Sequence, residues 1–117
     1  MWYKMASKLF LDDLRTAPSG DYTTVRSSDE AKAYVMQNGC PEFISFDHDL
    51  GGADTAMQFV KWLVDYDMDN NGAVIPTSFQ FHVHSANPVG AQNIAGYLQS
   101  YLGQKNVETQ VDKPLED

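Results

Sequence analysis

The chain has a single cysteine, Cys40, so no disulfide can close within it, which fits a reducing compartment. Long apolar runs are also missing, since none approaches the roughly 18 residues that cross a bilayer. The opening stretch MWYKMASK lacks the apolar segment of a secretory signal. The expectation is a cytoplasmic protein with no membrane partner. Basic residues are scarce: 8 Lys and Arg stand against 16 Asp and Glu, for a formal charge of −8 and a pI near 4.6. Long nucleic acid is held by neutralising phosphates with basic patches, so an extended footprint is excluded. Phosphate chemistry in such a chain has to act at a small site, through a cation. Repeats and low-complexity tracts are absent. What remains is 117 residues, 43% of them hydrophobic, enough for one domain over residues 1–117 with a single core. Residues 1–6, the loop 65–77 and the tail 113–117 are the expected flexible pieces.

Apolar or alternating runs at 8–12 (KLFLD), 22–27 (YTTVRS), 43–47 (FISFD) and 79–84 (FQFHVH) predict strands, with a weaker fifth at 106–111. Three helices fit between and after them. Ser28 and Asp29 can cap one that runs to Asn38, where Gly39 stops it. Asp54 can cap a second, with Met57, Phe59, Val60, Leu63 and Val64 as its apolar face. Asn87-Pro88 opens a third, with Ile94, Leu98, Tyr101 and Leu102 as its stripe. Strands alternating with helices predict a mostly parallel sheet of about five strands with helices on both faces.

In open α/β sheets, ligands bind outside the carboxyl ends of the strands. The first strand ends in Asp12-Asp13, the third in Asp47-His48-Asp49, and the fourth in His84-Ser85-Ala86-Asn87. Parallel strands bring these groups to one patch. So many carboxylates repel one another unless a cation neutralises them, and oxygen ligands of this kind suit Mg²⁺ or Mn²⁺. Singly, any of these acids, Asp49 for example, reads equally well as a cap or a solvated charge. His84, with an ordinary pKa near 6.5, is the candidate for proton transfer. His82 shares its sheet face and reads as a packed core imidazole. His48 fits either the site or the core. The start of the third helix, through Gly90, offers free N–H groups to an anion, and plain capping by Asn87 is compatible with that. Asp65, Asp67 and Asp69 have the spacing of a calcium loop, but Asn70 and Pro76 stand where glycine and glutamate are required. An acidic, solvated loop is the better reading.

Asp12-Asp13, Asp47, Ser85-Ala86 and Lys113-Pro114 resemble the acidic pair, phosphoacceptor, Ser/Thr and Lys-Pro of two-component receiver domains. Asp54 matches a further acidic position of that family. The resemblance implies a three-layer, flavodoxin-like fold. Two features depart from it. Only about eight residues, Leu14 to Asp21, separate the first two strands, too few for the usual crossover helix. Asp47 is followed by His48-Asp49, where receivers usually have less polar residues. The first helix is therefore shortened or missing, and with it much of the surface that docks a phosphodonor kinase.

The runs LFLDDLRTAP, ISFDHDLGG and HVHSANPVGAQNI are similar, in order, to the LDD-x-R, DHDLG and HSxNPxGxxN segments of a receiver-derived family of cyclic-phosphate-processing domains. That resemblance implies a metal-dependent phosphoesterase opening cyclic phosphates, such as 2′,3′-cyclic RNA ends or small cyclic nucleotides. It implies a metal site at Asp12, Asp13 and Asp47, with Asp47, Asp49 and His84 as catalytic residues and His84 as the acid/base. Arg15, His48, Ser85, Asn87, Gly90, Asn93 and Lys113 would contact phosphate or sugar. The alternatives are a phosphoacceptor receiver modified on Asp47 and a non-catalytic protein that sequesters a nucleotide. The oligomeric state is left open.

Overall fold

The computed structural model describes residues 7–111. Four strands, β1 (Lys8–Leu11), β2 (Tyr22–Val25), β3 (Phe43–Phe46) and β4 (Gln80–Val83), form one parallel sheet in the order β2-β1-β3-β4. Three helices follow β2, β3 and β4 in turn: α1 (Ser28–Asn38), α2 (Ala56–Asp69) and α3 (Pro88–Val111). This is the receiver-like α/β arrangement. None of these helices is long and apolar enough to cross a membrane.

Alternation along the short strands sends Leu9, Leu11, Val25, Ile44 and Phe46 to one face. They meet Ala31 and Val35 of α1, Phe59 and Leu63 of α2, and Ile94 and Leu98 of α3 in one core. Each fully buried Leu, Ile or Phe contributes about 1.5–3 kcal/mol. The helix ends follow local chemistry. The Ser27 hydroxyl accepts from the Glu30 amide, and Gly39 closes α1 at φ +85°, donating to the Val35 carbonyl. Asn87 Oδ1 accepts from the Gly90 amide at the start of α3.

Handedness decides the layers for the two crossover helices. From β2 onward the chain moves across the sheet in one direction, so right-handed crossovers place α1 and α2 on one face, and α3, which no strand follows, joins them by packing on α2. There α1 packs on α2 and α2 on α3. The β1–β2 connection runs the opposite way, and a helix in it would lie on the other face. Residues 12–21 contain turns and bends but no helix, so the first helix is missing. Among the described residues the second helical layer has no member. Its face carries Phe10, Tyr22, Phe43, Ser45 and His82 instead.

Other expectations need correction. The sheet has four strands, because residues 106–111 continue α3. The stretch 65–77 is no open loop at its start: α2 reaches Asp69, and Asp67 is completely buried. Asp54 does not cap α2, where Thr55 holds the N-cap position. Its carboxylate accepts instead from the Ser28 amide (2.9 Å) and hydroxyl (2.5 Å), tying the β3–α2 loop to α1. His82 is exposed on the bare sheet face, since no helix covers it.

Candidate functional site

The chain reverses its direction of travel between β1 and β3, and at such a switch point the connections diverge and leave a crevice beyond the carboxyl ends. The ladder runs one residue past each strand. The Asp12 amide donates to Val25 O (3.1 Å), that of Asp47 to Leu11 O (2.8 Å), and that of His84 to Phe46 O (2.8 Å). Asp12, Asp47 and His84 therefore stand side by side, on the face shared with Phe10 and Ser45. One carboxylate oxygen from each of Asp12, Asp13 and Asp47 lies within 4.8 Å of the others.

Asp12 is fully buried. Burial works against its charge, but the Arg15 and Leu14 amides (2.8 and 2.9 Å) and the His84 ring more than offset it and hold the carboxyl below its ordinary range. Asp47 behaves oppositely. Burial and the charge of Asp12 push its carboxyl up, against the pull of His84, Ser85 and Arg15. An electron-rich group of three hard oxygen donors, one of them reluctant to ionise, fits Mg²⁺ or Mn²⁺.

His84 is at the site, but not as a free acid/base. Its Nε2 is 2.9 Å from Asp12 Oδ2, its Nδ1 is 2.7 Å from Ser45 Oγ, and its ring stacks on Phe10 at 4.8 Å. Both ring nitrogens are engaged. His48 is different: Nδ1 is 3.0 Å from Asp49 Oδ1, and Nε2 has no partner among the described residues. The His48 hydrogen bond holds the Asp49 carboxyl low, and Asn87 Nδ2 reaches Asp49 Oδ2 at 3.4 Å. The ring lies against the start of α3. A Cβ on Gly90 would stand 2.5 Å from its Cγ, so only glycine fits.

The remaining expected residues divide. Arg15 points its Nη1 at the His84 carbonyl (3.2 Å), with Nε 4.0 Å from Asp12 Oδ2. Ser85 accepts from the Asn87 amide at 3.0 Å, and its hydroxyl acts to lower the Asp47 carboxyl. Gly51, at φ +92°, brings the β3–α2 turn so close to Asp13 that a Cβ would meet its Oδ2 at 3.2 Å. Asn93 is exposed farther along α3, and its side chain makes no hydrogen bond to the cluster among the described residues. Lys113 lies outside the described residues.

Two contributors are absent from the sequence reading. Ser45 is the one polar residue in FISF, and its alternation with Phe46 was a usable signal. Arg26 leaves no local signal. It follows β2, and only the strand order carries it to Asp12 and Arg15, whose carbonyls accept from its Nη1 at 3.0 and 2.6 Å.

Comparison with curated proteins and with solved structures returns no match. Comparison with family models does. The model described as the cyclic-phosphate processing receiver domain matches residues 7–100, which contain every strand and all three acids of the cluster. The chain belongs to the family of cyclic-phosphate processing receiver domains.

Proposed function

We propose that the domain is a metal-dependent phosphoesterase that opens a cyclic phosphate on a small nucleotide or an RNA terminus. The observation that carries this reading is the convergence of Asp12, Asp13 and Asp47 at the switch point. Those residues would hold Mg²⁺ or Mn²⁺, which when bound supplies Lewis acidity toward a non-bridging phosphoryl oxygen. Arg15, exposed beside the cluster, provides a planar donor fork for the same phosphate. Water adds to phosphorus, one P–O bond to the ribose breaks, and the departing alkoxide takes a proton, leaving a monoester.

Proton delivery falls to His48. Asp49 fixes one ring nitrogen, leaving the other for substrate, an arrangement general acid/base catalysis requires. His84, engaged at both nitrogens, orients Asp12. Leu14 (82% exposed), on the β1–β2 loop, and Val89 (66% exposed), in the first turn of α3, are apolar surface suited to an organic substituent on the phosphate.

The test is phosphorus NMR of a 2′,3′-cyclic nucleotide incubated with the protein and Mn²⁺. The expected result is conversion of the cyclic resonance to that of a monoester. His48→Ala should slow it by at least about tenfold. An unchanged cyclic resonance across Mg²⁺, Mn²⁺ and several bases would defeat the proposal. A receiver-type phosphoacceptor role has one observation in its favour, the Ser85–Asp47 contact. It predicts a stable adduct on Asp47 with a small phosphodonor.

A further inference from the structure

We infer that Arg26 is a positioning residue for the acid cluster and replaces the missing first helix as the scaffold of the loop that carries Asp13. The inference rests on reading Asp12, Asp13 and Asp47 as a cation site. In the usual crossover, a helix would follow the first strand and fix the backbone of its acidic pair. Here residues 12–21 form no helix, and another anchor is needed.

The acids of this loop are held unequally. The Asp12 carboxylate is anchored three ways, by two amides of its own loop and by His84. The Asp13 side chain accepts no hydrogen bond among the described residues, so its place depends on its backbone. That backbone is held from outside at two points. Arg26 Nη1 donates to the carbonyls of Asp12 (3.0 Å) and Arg15 (2.6 Å), one on each side of Asp13-Leu14. A single guanidinium nitrogen thus clasps the four-residue segment at both ends, on a planar group that loses less freedom per hydrogen bond than a lysine would.

The clasp is itself anchored. The Arg26 amide donates to Glu30 Oε1 (2.7 Å), and the Glu30 amide donates to the N-cap hydroxyl of Ser27 (3.1 Å). The first turn of α1 also receives Asp54 from the β3–α2 loop, through Ser28. The loops bearing Asp13 and Asp47 are therefore both referenced to one helix start, with Arg26 the link on the first side.

The test is Mn²⁺ binding, followed by electron paramagnetic resonance on wild type, Arg26→Ala, Arg26→Lys and Val35→Ala. Val35 is buried in α1 away from the loop, so its variant supplies a loss of stability without loss of the clasp. Arg26→Ala should weaken Mn²⁺ at least about tenfold, as loss of an outer partner of a metal site does. Arg26→Lys should fall between, Val35→Ala should bind as wild type does, and added guanidinium ion should partly restore Arg26→Ala. Equal Mn²⁺ affinity in Arg26→Ala and wild type, or equal weakening in Arg26→Ala and Val35→Ala, overturns the inference. Wild type that binds no Mn²⁺ defeats the cation reading instead. Arg26 is then judged by hydrogen exchange at the Leu14 and Arg15 amides. Arg26→Ala should speed it by at least about tenfold under native conditions, the signature of local opening, and unchanged exchange overturns the role.

Discussion

Replacing Asp67 should destabilise this domain more than replacing any other acid on α2. Asp67 is completely buried, and its Oδ1 accepts from the Val74 (2.9 Å) and Ile75 (2.8 Å) amides. Its Oδ2 accepts from the Tyr101 hydroxyl (2.6 Å) and from Lys105 Nζ (2.9 Å). Asp67 thus joins the chain leaving α2 to the far half of α3. Asp67→Ala leaves half-buried Lys105 with the Ile75 carbonyl but without its carboxylate, and two amides without their acceptor. Removing one partner of such a pair costs about 3–5 kcal/mol. For a domain of this size, with roughly 0.25 kcal/mol per degree of unfolding entropy, that is a fall in Tm of about 12–20 °C. Asp67→Asn keeps an acceptor and should lose about half as much, while exposed Asp69→Asn should change stability by less than about 0.5 kcal/mol. The pH dependence has a definite sign. Burial opposes the Asp67 charge, but Tyr101, Ile75, Lys105 and Val74 overcome it and hold the carboxyl low. A depressed folded pKa contributes stability that is full above the unfolded value of about 3.9 and is lost as pH falls through the folded one. The gap between wild type and Asp67→Asn should therefore be wide at pH 7 and close in strong acid. Urea unfolding of the three variants at both pH values measures this. A cost below about 1 kcal/mol for Asp67→Ala, or one equal to that of Asp69→Asn, would refute the reasoning.

Asp47→Asn should stabilise the metal-free protein at pH 7, read as a higher Tm, while abolishing the further Tm increase expected on adding Mn²⁺. Burial and Asp12 raise its folded carboxyl, so stability declines as pH climbs past the unfolded value, and neutralising the group removes that loss. Gly90→Ala should cost about 1–3 kcal/mol and displace the His48 ring, read by the imidazole resonances in NMR. Gly96→Ala on the same helix, where an added Cβ meets nothing within 4 Å, should stabilise by about 0.5–1 kcal/mol in the same unfolding experiment. Cys40, whose thiol burial pushes up to about 12, with the charge of Asp67 acting in the same direction, should react with a disulfide reagent at pH 8 at least about 100-fold slower than in denatured protein; rapid stoichiometric labelling would count against the packing.

Much of the site was legible because strands alternate and parallel strands share an end. Asp12, Asp13, Asp47 and His84 stand at the close of apolar runs, and parallel pairing alone brings them together. Gly39 and Asn87-Pro88 marked helix ends through backbone preferences that act within a few residues. The errors were equally physical. A buried Asp67 is indistinguishable in sequence from its solvated neighbours Asp65 and Asp69, since its donors lie seven to 38 residues away. The β-branched and polar run 106–111 suits a strand by composition, yet it continues a helix already under way, and propensity is weaker than propagation.

What the sequence by itself determined is local: which segments form strands and helices, where they end, and which chemical groups stand at those ends. Only the tertiary structure decided how these groups share their hydrogen bonds. It committed both nitrogens of His84 to Asp12 and Ser45, left one nitrogen of His48 available, and sent Arg26 around the Asp13 loop. The reason is range. Helix caps and alternation operate over two to four residues. The partners that give these side chains their roles are brought together by strand order, across separations of up to 72 residues.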